Sequence, residues 1–430
     1  MTEAFQAVIC HPGTMPESAP KNPRSPGFAA YRRVLRAPHV LPLEVSSVCA
    51  RLPVGMGTIA LVLYVHGATG SFAYAGLVAG AYAIGLGITG PFLARIVDRR
   101  GPEPVLVPGA LVGALGLVGV VVLGHEDAGP LALAAAGLLA GAATPPVGGV
   151  MRQRIPDLVA AEDLPTIYAV DSIMLELVFV LGPLLAGGIA TTLGAGAAVL
   201  ATAAVLATGT LWFDLLSRKA PFHREEAPRA GWLGALGSPT LRVLVFSGVP
   251  LGACFGALDV ALPAFGSIHG NSALGGPLTA ALAVGSVLGG LVYGARPHVF
   301  GAPARSVLVL GSVQVLTCLP ILLVVTVPEM FAAAFLSGIC VAPLITVRYQ
   351  LARRGAIAGT GTEAFTWIPL AITVGASAGS AVAGPLVQAG GWRAGAVLAC
   401  AMPALSVLIA LLGRDVLAGR TPEAAEAATV

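Results

Sequence analysis

Five ionisable residues stand inside stretches that are otherwise apolar: Glu44, Arg51, Asp171, Glu176 and Asp259. In a low-dielectric surrounding such groups neutralise one another, exchange a proton, or face a cavity and a ligand of opposite charge. Glu44 and Arg51 are seven residues apart, nearly one face of a helix, whereas Asp171 and Glu176 are five apart, about 140° around the axis. Those two carboxylates therefore should not share one cavity. At about 1.5 Å of rise per residue, Arg51 and Glu176 each lie roughly 17 Å from the start of their helices. The pattern predicts that Glu176 neutralises Arg51, while Asp171 or Glu44 takes and releases a coupling proton. The other reading of the same charges is an ion pair that only holds the helices together. Asp259 lies nearer the far end of its helix, where it would line an outer vestibule or cap a loop.

The elements that must position these residues are twelve apolar stretches, expected at 40–64, 72–94, 104–124, 130–151, 165–190, 196–215, 241–263, 274–294, 304–326, 330–349, 363–388 and 393–413. About 20 apolar residues span roughly 30 Å of hydrocarbon as a helix, the form that satisfies every backbone polar group from within. Composition agrees: 10% of residues are charged and 56% hydrophobic, against about 25% charged in a soluble domain. A carboxylate or guanidinium at mid-membrane costs about 2.5 to 3.5 kcal/mol on insertion scales, so each of the five charges above is a functional candidate.

All but Arg51 and Arg393 of the 24 Lys and Arg residues fall on one set of alternate connections and the two tails. The positive-inside bias then puts both termini in the cytoplasm, in an inner membrane. The expected organisation is a disordered tail over 1–38, a first six-helix bundle over 39–216, a cytoplasmic linker over 217–240, a second bundle over 241–414 and a tail over 415–430. Six cysteines and seven histidines show no metal-ligand spacing, so neither metal nor cofactor is expected. A net charge of +3 points to no nucleic-acid partner. The halves repeat: Ala81, Gly85, Gly90 and Gly101 recur as Ala281, Gly285, Gly290 and Gly301, and Gly182-Pro183-Leu184 recurs as Gly384-Pro385-Leu386. An all-α membrane protein of two pseudo-symmetric six-helix bundles follows, a layout suited to rocking about a midplane site.

At the end of the second stretch stands Gly90-Pro91-Phe92-Leu93-Ala94-Arg95-Ile96-Val97-Asp98-Arg99-Arg100-Gly101. This resembles motif A of the major facilitator superfamily, with Asp98, Arg99, Arg100 and Gly101 in the gating positions. The copy after span eight lacks the Asp-Arg pair. In the orientation above, the amino terminus of span eleven faces the same side, and its free amides and dipole attract the Asp98 carboxylate. The resemblance implies that this aspartate docks the halves when the protein opens outward. Gly182-Pro183-Leu184-Leu185-Ala186-Gly187-Gly188 is similar to motif C of drug:proton antiporters, with one extra residue between Pro183 and the pair Gly187-Gly188. Span four lacks the mid-helix arginine of many such exporters, since Arg152 and Arg154 fall at its end. Arg51-Leu52-Pro53-Val54-Gly55-Met56, Asp171-Ser172 with Glu176, and Glu363-Ala364-Phe365-Thr366-Trp367 are similar to actinobacterial exporters of the superfamily, and the resemblance covers about residues 30 to 415.

The expected function is transport by alternating access, moving a small organic, amphipathic or weakly basic molecule, most simply as proton-coupled efflux by a monomer. Proton-linked uptake and facilitated diffusion are the alternatives within transport; a non-transporting sensor or scaffold is the alternative of another class. No phosphate-binding loop is present for direct ATP drive, and no nucleophile and base pair or HExxH sequence suggests an enzyme. Tyr82, Thr346, Trp367 and Gln314 are candidates for cavity lining, and Glu363 opens span eleven, where a helix amino terminus favours a carboxylate.

Overall fold

The computed structural model describes residues 27–220, 231–271 and 274–419. Twelve helices in it are long and apolar enough to cross a membrane: Val40–Thr69, Ala73–Arg100, Leu106–His125, Pro130–Leu158, Ala161–Leu193, Ala195–Ser217, Pro239–Ile268, Gly275–Ala295, Pro303–Leu323, Val327–Gly355, Gly361–Gly390 and Trp392–Leu412. They are called spans one to twelve below. Spans one to six form one bundle and seven to twelve the other. Span one packs on two, five and six, and span two on four; in the second bundle span seven packs on eleven and twelve, and span eight on ten.

The glycines make this packing possible. A Cβ on Gly85 would sit 2.5 Å from the Leu138 carbonyl oxygen of span four, and one on its repeat mate Gly285 would strike the Phe335 carbonyl of span ten. Without a hydrophobic force between helices in lipid, such close backbone approach is what holds them. The bundles meet along two seams, span five against eight and ten, and span eleven against two and four.

Several helices outrun their apolar stretches. Span two continues as helix through Asp98, Arg99 and Arg100 to Gly101, whose φ of +90° ends it. Span four breaks after Ala143 at Thr144-Pro145-Pro146 and resumes as Val147–Leu158, and span ten breaks after Gly338 and resumes as Val341–Gly355. Arg152, Arg154 and Arg348 are thereby buried inside helices rather than standing in connections. Hydropathy places a helix end at the first charge, whereas the backbone continues until its hydrogen bonding is interrupted. The disordered tail expected over 1–38 lies outside the described residues up to 26. Within 27–38 it gives way to a helix, α1, at Phe28–Arg36, with Tyr31 and Val34 in the core.

Span five is one continuous helix through Pro183, and the two glycine positions of its motif differ. A Cβ on Gly182 would lie 2.6 Å from the Gly55 carbonyl carbon, whereas Gly187 and Gly188 have open space around them. Gly182→Val is expected to lower the melting temperature in detergent strongly, by the equivalent of about 1 to 3 kcal/mol of overpacking. Gly187→Ala should leave it unchanged, with thermal unfolding followed by size exclusion as the measurement.

Candidate functional site

Span two delivers its carboxylate to the other bundle. Asp98 accepts from the backbone N–H of Thr362 through Oδ1 and of Glu363 through Oδ2, both at 2.9 Å. Thr360, the residue that flanks the span-eleven helix on its amino side, makes no side-chain cap bond. Asp98 therefore caps this helix from the opposite bundle, where two orphan amides and the helix dipole favour a negative charge. Arg95 grips the buried Glu363 with two hydrogen bonds of 3.0 and 2.6 Å and donates to the Trp232 carbonyl oxygen. Gln153 of span four accepts a short hydrogen bond from Thr362 Oγ1. Gly234, at φ +55°, passes so near that any side chain there would strike the Arg95–Glu363 pair. Trp367 points its indole N–H at Glu363 Oε1, 3.4 Å away.

Deeper in the first bundle the charges pair differently from the sequence expectation. Asp171 is held between Arg51 Nη1 at 2.9 Å and Arg152 Nε at 2.6 Å. Glu176 does not neutralise Arg51. Span four extends as helix to Leu158, so Arg152 reaches the depth of Asp171, about five residues nearer the helix start than Glu176. Arg51 also donates to the Ser47 carbonyl oxygen. Glu44 Oε2 stands 4.0 Å from Arg51 Nη2, and both Glu44 oxygens are buried with no hydrogen-bond partner. Two arginines and two carboxylates thus balance within one buried cluster. Arg152 lies 4.1 Å over the ring of Tyr349 in the second bundle, which links the cluster to span ten.

Glu176 faces the seam instead. It accepts from Ser286 of span eight at 3.1 Å, and the Ala342 amide of span ten donates to the same serine oxygen. Nearby, Thr346 Oγ1 donates to Ser172 at 3.1 Å, and the rings of Tyr168, Tyr349 and Phe365 cluster with centroids 6.0 to 6.4 Å apart. Tyr82 belongs to the apolar core of the first bundle, packed on Gly57. Gln314 likewise turns inward, donating to the Ser337 carbonyl oxygen. Asp259 is exposed on span seven.

Three groups escaped the sequence reading: Arg152, the aromatic cluster, and Arg348. Arg348 is buried and donates to Leu244 O, Ser247 Oγ, Ser247 O and Ser406 Oγ, tying spans seven, ten and twelve together. Extending span four past its first charge, to Leu158, reveals Arg152, whereas Arg348 already falls inside the apolar stretch expected at 330–349.

The geometry described is that of a membrane carrier with two bundles meeting about a polar centre. A family model described as Major Facilitator Superfamily matches residues 43–298, and the chain belongs to that family. A comparison with curated protein sequences finds no match. Among solved structures, a bacterial homologue of the iron transporter ferroportin in an outward-facing state is similar at 14% identity, over 86% of this chain and 98% of that one, with a TM-score of 0.70. The Escherichia coli fucose:proton symporter matches at 13% identity over 87% and 98%, TM-score 0.66. The human organic anion transporter MFSD10 matches at 17% over 90% and 100%, TM-score 0.62. At these identities the likeness is one of fold. Among the described residues no group of three or more His, Cys, Asp or Glu could hold a metal ion. The chain is a multi-pass membrane transporter and not an enzyme.

Asp171→Asn would leave two buried guanidinium groups facing one neutral amide. It is expected to cost about 3 to 5 kcal/mol, the range for breaking a buried pair, read as a large fall in melting temperature. Glu176→Gln, which keeps a hydrogen-bond acceptor for Ser286, should stay near wild type.

Proposed function

We propose that this protein exports a small, amphipathic or weakly basic organic molecule across the cytoplasmic membrane in exchange for protons, as a monomer, resembling actinobacterial drug:proton antiporters. Both termini are then cytoplasmic, and Asp98, Arg99, Arg100, Gly90 and Gly101 form the inner gate. All described hydrogen bonds between the bundles lie in the half that carries Asp98. On this reading the conformation is closed inward and open outward.

The observation that carries the coupling is the inequality of the two buried carboxylates. Asp171 has a guanidinium on each oxygen, while Glu44 has a cation 4.0 Å away and no hydrogen bond. Protonating Glu44 breaks no bond; protonating Asp171 disrupts two. Glu44 is therefore the proton carrier, and Asp171 holds the two arginines in place. Protonation of Glu44 leaves the cluster with one excess positive charge, which favours a rearrangement of Arg51. Glu176 and Asp259 put negative charge at the seam and toward the outer end without a cation in contact, which suits a weak base better than an anion.

The same geometry serves proton-linked uptake or facilitated diffusion, and one experiment separates them. In proteoliposomes with an imposed pH gradient, ethidium and neutral and anionic amphiphiles are offered in turn. Export predicts accumulation against the proton gradient. Glu44→Gln is expected to lose gradient-driven flux by more than about tenfold while retaining substrate counterflow. Equal gradient-driven flux in Glu44→Gln would remove Glu44 from coupling. Ligand binding without flux in any arm would favour a sensor.

A further inference from the structure

The pseudo-symmetry of the two bundles calls for two latches, and the protein has only one of the expected kind. At the seam of spans two and eleven Asp98 caps the span-eleven helix. At the matching seam, spans eight and five, the repeat supplies no aspartate: residue 298, 200 positions beyond Asp98, is histidine. What occupies this seam is α1. We propose that α1 is a second clasp, holding the bundles together where the repeated motif lost its latch, and that Tyr31 must leave span eight before this end can open.

α1 contacts both bundles. Tyr31 donates to the carbonyl oxygens of Gly290 and Leu291 in span eight, at 3.0 Å each, and the Gly27 amide donates to Ala295 O at 3.0 Å. Gly294 forms the notch that receives the phenol: a Cβ there would strike the Tyr31 hydroxyl. On the other side, Arg33 Nε donates to Asp163 Oδ2 at 2.9 Å, and Nη2 to Oδ1 at 2.5 Å, where Asp163 lies in the opening turn of span five, just before its α-helical part at Leu164–Leu193. Thr166 of span five adds a direct bond to the Gly294 carbonyl oxygen at 2.7 Å.

The two grips are unequal, and that makes the helix a device rather than filler. Through Ala37, Pro38 and His39 it is covalently continuous with span one, so it travels with the first bundle. Arg33 fixes its orientation there by a two-pronged, charge-assisted bond. Its polar hold on the second bundle consists of two neutral donors to backbone carbonyls, the Tyr31 hydroxyl shared between Gly290 O and Leu291 O and the Gly27 amide on Ala295 O. When the bundles part at this end, the neutral bonds give way first. Burial pushes the Tyr31 hydroxyl above its usual range, so it remains a donor. His39, at φ +66° in the left-handed region, turns the chain between α1 and span one.

The test needs no substrate and so stands apart from the exporter reading. Spin labels at Ala161 and Val299, both exposed and on opposite sides of the seam, report its width in full-length protein in lipid nanodiscs. Tyr31→Phe removes only the phenol's hydrogen bonds and should raise the ratio of wide to narrow distances roughly 2- to 10-fold, the factor that a hydrogen bond of ordinary net strength supplies. Arg33→Gln should act in the same direction, and either combined with Asp98→Asn should open the end further than either seam alone. Distance distributions in Tyr31→Phe and Arg33→Gln that match the wild type, in protein that elutes as wild type, overturn the clasp whatever Asp98→Asn does.

Discussion

Lipid offers no hydrogen-bond partner, so each polar group placed among these spans must be answered by the protein itself. That constraint explains the architecture more fully than apolar packing does. Arg51 and Arg152 share Asp171 from three spans, and Arg348 donates through both terminal nitrogens to carbonyls and serine hydroxyls of spans seven and twelve. The amino terminus of span eleven, with free amides near the membrane surface, is answered by a carboxylate from the other bundle. Glu44, whose oxygens have no such answer, is where the constraint is least satisfied. A group in that position is the one a proton can relieve.

The same rule shapes the seams. Within a bundle, glycine faces let backbones touch, as Gly182 does with Gly55. Such contacts are permanent. Between bundles, beside the Tyr168, Tyr349 and Phe365 rings, stand polar and directional contacts: Glu176 to Ser286, Thr346 to Ser172, Thr166 to Gly294. Bonds of this kind are modest in net energy and can be exchanged for water when a seam opens. Rigid halves joined by replaceable bonds are what rocking requires.

Span four joins the deep cluster to the Asp98 cap on span eleven. Its second segment carries Arg152, bound to Asp171 and stacked on Tyr349, and the adjacent Gln153, bonded to Thr362 beside the Asp98 cap. Arg152, which shares Asp171 with Arg51, is therefore adjacent in the chain to the residue that bonds beside the Asp98 cap. On the proposed reading, this short rigid segment is the physical link between protonation and opening.

Much of the molecule was legible in the sequence. Twelve long apolar runs determined the spans, because hydrocarbon thickness and helical rise admit little else, and displaced glycines determined the two-bundle repeat, because close packing needs them at matching depths. Asp98 was singled out by its place at the end of span two. The pairing of the buried charges was not legible. Periodicity fixes where Asp171 and Glu176 point relative to each other, but not how span five is rotated in its bundle or how far span four extends. Those two quantities, set by packing among helices 120 residues apart in the chain, gave Arg51 to Asp171 and turned Glu176 to the seam. Only the tertiary structure could also reveal α1, since nine residues rich in arginine have no apolar run to betray a helix held by its neighbours.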